Sequence, residues 1–133
     1  MEIDKQAVTV LLYNQYGQVL GVSRKDNHDD FGLPGGKVGT GESLDAAAIR
    51  ETKEETGLDI WGLEAVFYRG GIEEDAFSNT TFKAHYDREQ SLGPSSPQET
   101  GVVKWITWID LLAGPFGEYN RGLLENEVKY YGK

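Results

Sequence analysis

The chain has 133 residues, with 13 Lys and Arg against 22 Asp and Glu, a formal charge of −9. That charge excludes a general binder of nucleic-acid polymers, but not of a small phosphorylated ligand, because a divalent cation inverts the local field. A content of 38% hydrophobic and 11% aromatic residues without cysteine excludes disorder, a disulfide framework, a thiolate metal site and a Cys nucleophile.

The length predicts one domain over residues 1–133. "MEIDKQAV" has no apolar signal core, and no apolar run approaches the ~18 residues of a membrane helix. A cytoplasmic protein with no membrane partner is expected, as monomer or homodimer. In chain order, Ala7 to Tyr13 and Gln18 to Ser23 are apolar runs flanking the turn-like "NQYG", which predicts a hairpin. "DNHDDFGLPGGKVGTGE" is a glycine-rich loop with a short strand at Phe31 to Leu33. A helix runs from Leu44 to Thr56, with Ser43 as N-cap and Gly57 just past its end. "LEAVFYRG" and "AFSNTTFKAHYD" are strands. Asp87 to Gln98 is a polar loop whose Gly and two Pro forbid regular structure. "GVVKWIT" is a strand, "WIDLL" a short helix, and the tail carries Leu123, Leu124, Val128 and Tyr131 at helical spacing. This order predicts a mixed sheet with helices on its faces.

Several motif matches fail on chemistry. "GLPGGKV" lacks the Ser or Thr that a nucleoside-triphosphate loop places after its Lys to reach Mg²⁺. "GKVGTG" has its glycines in the reverse order from a dinucleotide fingerprint. Asp26, His28 and Asp30 alternate like a calcium loop, yet the turn Gly comes one place late and Lys37 stands where a bidentate Glu belongs. His28 and His85 are isolated and are assigned structural or surface roles, and Glu73 to Asp75 a solvated loop.

The helix is more informative. In "RETKEETG", Glu51, Glu54 and Glu55 fall at i, i+3 and i+4, within one sector of the surface. Like charges so spaced destabilise a helix by roughly 0.2–0.5 kcal/mol per pair. Ala48, Ile49 and Thr52 lie on the neighbouring face expected to pack on the sheet, with Glu55 nearest to it, so the acidic stripe flanks the core. The glycine-rich "LPGGKVGTGE" runs directly into this helix. Glycines admit close backbone approach, and clustered carboxylates suit Mg²⁺, which takes hard oxygen ligands and shares substrate phosphates.

From Gly36 to Leu58 the chain reads "GKVGTGESLDAAAIRETKEETGL". This resembles the Nudix box, G-x5-E-x7-R-E-U-x-E-E-x-G-U with U aliphatic. Gly36, Glu42, Arg50, Glu51, Glu54, Glu55, Gly57 and Leu58 match in type and spacing, and Thr52 departs from an aliphatic U. "GLPGG" resembles the family's lead-in, with Phe31 where Trp is frequent. The resemblance implies an α/β/α sandwich with a mixed central sheet. It implies hydrolysis of a nucleoside diphosphate linked to another moiety, by a Nudix pyrophosphohydrolase acting on an acid anhydride. Glu51, Glu54 and Glu55 become ligands of Mg²⁺ or Mn²⁺, joined by a carbonyl of Gly35 or Gly36, the glycines also approaching substrate. Arg50 orients the carboxylates with Glu42 behind it. Glu51 is the first choice for general base and Glu99 the second, while Arg24 is a candidate phosphate contact.

Motifs that mark relatives acting on NADH, ADP-ribose, dinucleoside polyphosphates or CoA are missing. A nucleoside triphosphate, split to monophosphate and pyrophosphate, is the expected substrate. "GPFGEYNR" and "DNHDDFGLPGG" resemble GDP-mannose hydrolases, which usually have a box lacking one glutamate; a nucleotide sugar is therefore the alternative. A nucleotide-binding module without turnover is a third reading, disfavoured by the intact acidic triplet.

Overall fold

A computed structural model describes residues 5–71, 76–93 and 101–130. Seven strands and three helices follow one another as β1 (Gln6–Leu11), β2 (Val19–Arg24), β3 (Asn27–Gly32), β4 (Gly35–Lys37), α1 (Leu44–Thr56), β5 (Ile60–Arg69), β6 (Ser78–Tyr86), β7 (Val103–Ile106), α2 (Trp108–Leu112) and α3 (Gly117–Tyr130). One sheet has the order β4-β1-β6-β5 and is mixed, because β1 and β6 run parallel while its other pairs are antiparallel. A second, antiparallel sheet has the order β3-β2-β7.

The hairpin predicted for the first two strands forms only at its turn. Asn14 N–H donates to the Gln18 carbonyl at 3.0 Å and Leu20 N–H to the Leu12 carbonyl at 3.1 Å. Beyond that point β1 pairs with β4 and β6 while β2 pairs with β3 and β7. The reason is burial on both faces of β1. Val8, Val10 and Leu12 point to a core shared with Ala47 and Ala48 of α1, and Leu11 points to a second core with Leu111 of α2 and Leu123 of α3. A strand covered on both sides takes an interior position in its sheet. The glycine-rich stretch also holds more structure than expected: β3 begins four residues earlier than the predicted strand, and β4 pairs with β1.

Helix α1 has the predicted bounds. The Ser43 side chain accepts the Ala46 N–H, and Gly57 takes a left-handed φ of 80° while its N–H closes on the Lys53 carbonyl. Its packed face is Ala47, Ala48, Thr52 and Thr56. Ile49, expected on that face, is 40% exposed, because the contact stripe follows the i, i+4 row through 48, 52 and 56. In α3 the buried stripe is Asn120, Leu123 and Glu127. Val128, read from its spacing as part of an apolar face, is 62% exposed. Tyr131 lies outside the described residues, as do Glu73 to Asp75 and Glu99. Among the described residues no helix is long and apolar enough to cross a membrane.

Candidate active site

Strand β4 stands at the edge of the mixed sheet and packs against α1, so the glycine-rich segment lies beside the acidic helix face. A Cβ on Gly35 would strike the Val8 carbonyl, and one on Gly36 would meet the Glu51 carboxylate at 2.6–2.7 Å. Only glycine lets the sheet edge and that carboxylate come this close.

Arg50 organises the acids. Its Nε and Nη2 donate to the two Glu42 oxygens at 2.8 and 2.9 Å, in a bidentate fork. Its Nη1 donates to Glu51 Oε1 at 2.9 Å and to Glu54 Oε2 at 3.4 Å, and its Nη2 also reaches the Lys37 carbonyl at 3.2 Å. Glu42 in turn accepts the Gly39 N–H at 2.9 Å. The Arg50 guanidinium, with help from that N–H, holds the Glu42 carboxyl down at about 2. Burial pushes the Glu51 carboxyl up, against the pull of Arg50. Glu55 has no arginine contact. Its Oε1 accepts the Gly35 N–H at 2.7 Å, yet burial, followed by the charges of Glu51 and Glu54, raises its pKa to about 7.

Seven predicted site residues are therefore brought together: Gly35, Gly36, Glu42, Arg50, Glu51, Glu54 and Glu55. Arg24 is not among them. It ends β2 in the other sheet, in a fork on Asp26 at 3.0 and 3.2 Å with Asp30 at 3.9 Å. Glu99 lies outside the described residues. Among the described residues no three acidic or imidazole side chains converge tightly enough to hold an ion as they stand. Arg50 Nη1 sits between Glu51 and Glu54. The donor set is nevertheless all hard oxygen and carries surplus negative charge, which fits Mg²⁺ or Mn²⁺ and no softer ion.

On the other side of β4 lies a cavity of about 460 Å³, whose lining includes Gly35, Gly36, Lys37, Phe77, Tyr119 and Asn120. Phe77, Phe116 and Tyr119 line this space, whereas Phe82 is buried in the core and Tyr86 packs against it. Tyr119 is fixed by its hydroxyl, 2.8 Å from Thr81 Oγ1, and burial raises its pKa. Asn120 is 2% exposed, and no described residue hydrogen-bonds its side-chain amide. Sequence reasoning did not single out Asn120. The available signal was its place three residues before Leu123, which puts an amide on the buried stripe of α3.

A family model described as "NUDIX domain" matches residues 4–126. A Bacillus subtilis (strain 168) protein named "Putative 8-oxo-dGTP diphosphatase" is 48% identical over 105 residues, which are 77% of this chain and 66% of that relative. The chain thus spans slightly under two thirds of that relative, and about a third of two other curated relatives it matches. The MutT NUDIX hydrolase of Burkholderia pseudomallei superimposes with a TM-score of 0.75 at 23% identity, covering 94% of this chain and 98% of that one. The MutT protein of Methanosarcina mazei Go1 gives a TM-score of 0.71 at 24% identity, covering 99% and 100%. Both structural likenesses concern the fold.

Proposed function

We propose that this chain, which belongs to the NUDIX family, hydrolyses a nucleoside triphosphate to monophosphate and pyrophosphate with the help of Mg²⁺ or Mn²⁺. Residues 1–133 serve as one catalytic domain in this reading. One observation carries it: the carboxylate cluster and the cavity share strand β4. Glu55 bonds to Gly35 and Glu51 lies against Gly36, and both glycines also line the cavity. A ligand with a base in the cavity has its phosphates delivered to the acids. The name carried by the Bacillus subtilis relative, a diphosphatase of a nucleoside triphosphate, supports the same substrate class.

Glu51, Glu54 and Glu55 would hold the ion. When bound, the ion neutralises the diphosphate and lowers the pKa of a water for in-line attack at phosphorus. Arg50 aligns Glu51 and Glu54, and Glu42 fixes Arg50 through the bidentate pair. Glu51 is the general base in this reading, oriented by the Arg50 Nη1 bond at 2.9 Å. Phe77 offers a ring face to the base, Tyr119 walls the site, and the unpaired Asn120 amide supplies both a donor and an acceptor to the base edge.

Product release from a nucleotide panel at fixed Mg²⁺, read as phosphate after added inorganic pyrophosphatase and without it, tests the proposal. A nucleoside triphosphate should give the highest kcat/KM, with pyrophosphate as product, and chelator should abolish turnover. Asn120→Ala should lower kcat/KM while changing the ranking among bases. A nucleotide sugar preferred over every triphosphate by tenfold or more would overturn the substrate assignment in favour of a GDP-mannose-like hydrolase. Binding without turnover across the panel would make the chain a nucleotide-binding module.

A further inference from the structure

One side chain joins the two halves of the site and has no part in the reaction so far. Lys37 ends β4, directly after Gly36, and lines the cavity. Its carbonyl is held by Arg50 Nη2 at 3.2 Å, which anchors the residue at the border of the carboxylate cluster. Its Nζ, however, stands 5.2 Å from the centroid of the Phe77 ring, within cation–π range. Among the described residues no carboxylate pairs with this ammonium. Lys5 Nζ also approaches the ring, at 5.9 Å, but Lys5 is not part of the cavity wall.

An ammonium and a nucleobase compete for the same aromatic face, since both use its π surface. Phe77 is 39% exposed and is an aromatic in the cavity whose ring a base can reach. A base that stacks on the face Lys37 covers displaces it. The displaced charge has a destination close by, because the proposed function would put the phosphates of the same ligand beside Gly36, next to Lys37 in the chain. We propose that Lys37 is a specificity-determining phosphate contact that rests on Phe77 in the free protein and is released to the substrate phosphates when a base stacks on that ring. The inference rests on the reading that Phe77 receives the base. Base recognition and phosphate charge neutralisation are then coupled, and a polyphosphate without a base leaves Lys37 on the ring.

Two measurements test this. The first is NMR of the Lys37 side-chain methylenes in the metal-supplemented protein. In the free protein they should show an upfield ring-current shift that Phe77→Leu abolishes. An α,β-methylene nucleoside triphosphate with Mg²⁺ should remove the shift, whereas inorganic tripolyphosphate with Mg²⁺ should not. Absence of a Phe77-dependent shift overturns the resting position, and loss of the shift with tripolyphosphate overturns the base-driven release. If the nucleotide analogue perturbs no resonance at all while the shift persists, the substrate reading fails and the release fails with it; that outcome differs from the other two. The second is a double-mutant cycle on kcat/KM. Lys37→Gln should cost about two- to fivefold more in the Phe77→Leu background than in the native chain, because the resting contact then no longer offsets the lost phosphate contact. An equal cost in both backgrounds overturns the coupling.

Discussion

Thr52→Val should stabilise the protein. Thr52 is the one box position that departs from an aliphatic residue, and it is fully buried in α1. Its Oγ1 has no hydrogen-bond partner among the described residues. A buried hydroxyl left unpaired costs roughly 1–3 kcal/mol, the loss of its water contacts without return. Valine has the same shape, places a methyl where the hydroxyl was, and differs little from threonine in helix propensity. The expected gain is therefore on the order of 1–3 kcal/mol, or a Tm rise of roughly 3–5 °C per kcal/mol for a chain of this size. Urea unfolding should show a higher midpoint with an unchanged slope, the sign of a stability change without a change in exposed surface. Turnover should not change, since Thr52 faces the core. Thr56→Val is the matched control. Its hydroxyl donates to the Thr52 carbonyl at 2.6 Å and accepts the Leu58 N–H at 3.2 Å, so that substitution should destabilise. An unchanged or lower midpoint for Thr52→Val would refute the reasoning, by showing that the hydroxyl is satisfied.

In chelator, stability should fall as pH rises from about 4.5 to about 7. Glu55 keeps its proton longer in the folded chain, at about 7 against 4.5, so the folded state binds more protons in that window. The contribution is present in full below 4.5 and lost as pH passes 7, roughly 3 kcal/mol for such a shift. Chemical denaturation across pH should show the fall, and Glu55→Gln should flatten it; a flat native profile would contradict the burial of that charge. Glu51→Gln and Glu55→Gln should each lower kcat by about a hundredfold or more while far-UV circular dichroism stays native, and near-native rates would remove both from the machinery. Arg50→Lys should lower activity by roughly 10- to 100-fold, because an ammonium cannot keep the fork on Glu42 and the bond to Glu51 together; full activity would show that the clamp does not set the carboxylates.

The parts legible in the sequence were those fixed by local rules. The bounds of α1 follow from a cap, an alanine-rich run and a terminal glycine, and the clustering of Arg50, Glu51 and Glu54 follows from helical spacing alone. What the sequence hid was non-local. The separation of β1 from β2 depends on which faces later segments cover, and alternating apolar residues read the same in a hairpin as in strands that part. Val128 looked buried by period, but the orientation of α3 is set by Glu127, which accepts a hydrogen bond from the Tyr13 hydroxyl at 3.0 Å and pairs with Lys83 at 3.1 Å. A buried charged pair can turn a helix away from its most apolar stripe. Arg24 sits at a strand end, as a phosphate contact would, yet Asp26 two residues on captures its guanidinium.

The crowding of three carboxylates on one helix is answered differently for each. Glu51 and Glu54 share Arg50 Nη1, so their repulsion is offset by a charge on the same helix. Glu54 also keeps much of its water, being half exposed at 53% of its side chain. Glu55 has neither resource. It is lodged against β4 with one backbone N–H, and its remaining relief is to take up a proton near pH 7. A cation arriving at this face therefore gains little by displacing the guanidinium from Glu54, where water already screens the charge. In the proposed site it would gain more at Glu55, where no described residue supplies a counter-charge and desolvation has already been incurred. In the proposed site Glu55, whose pKa burial raises to about 7, would release a proton on taking up an ion at neutral pH, which would tie that binding to pH.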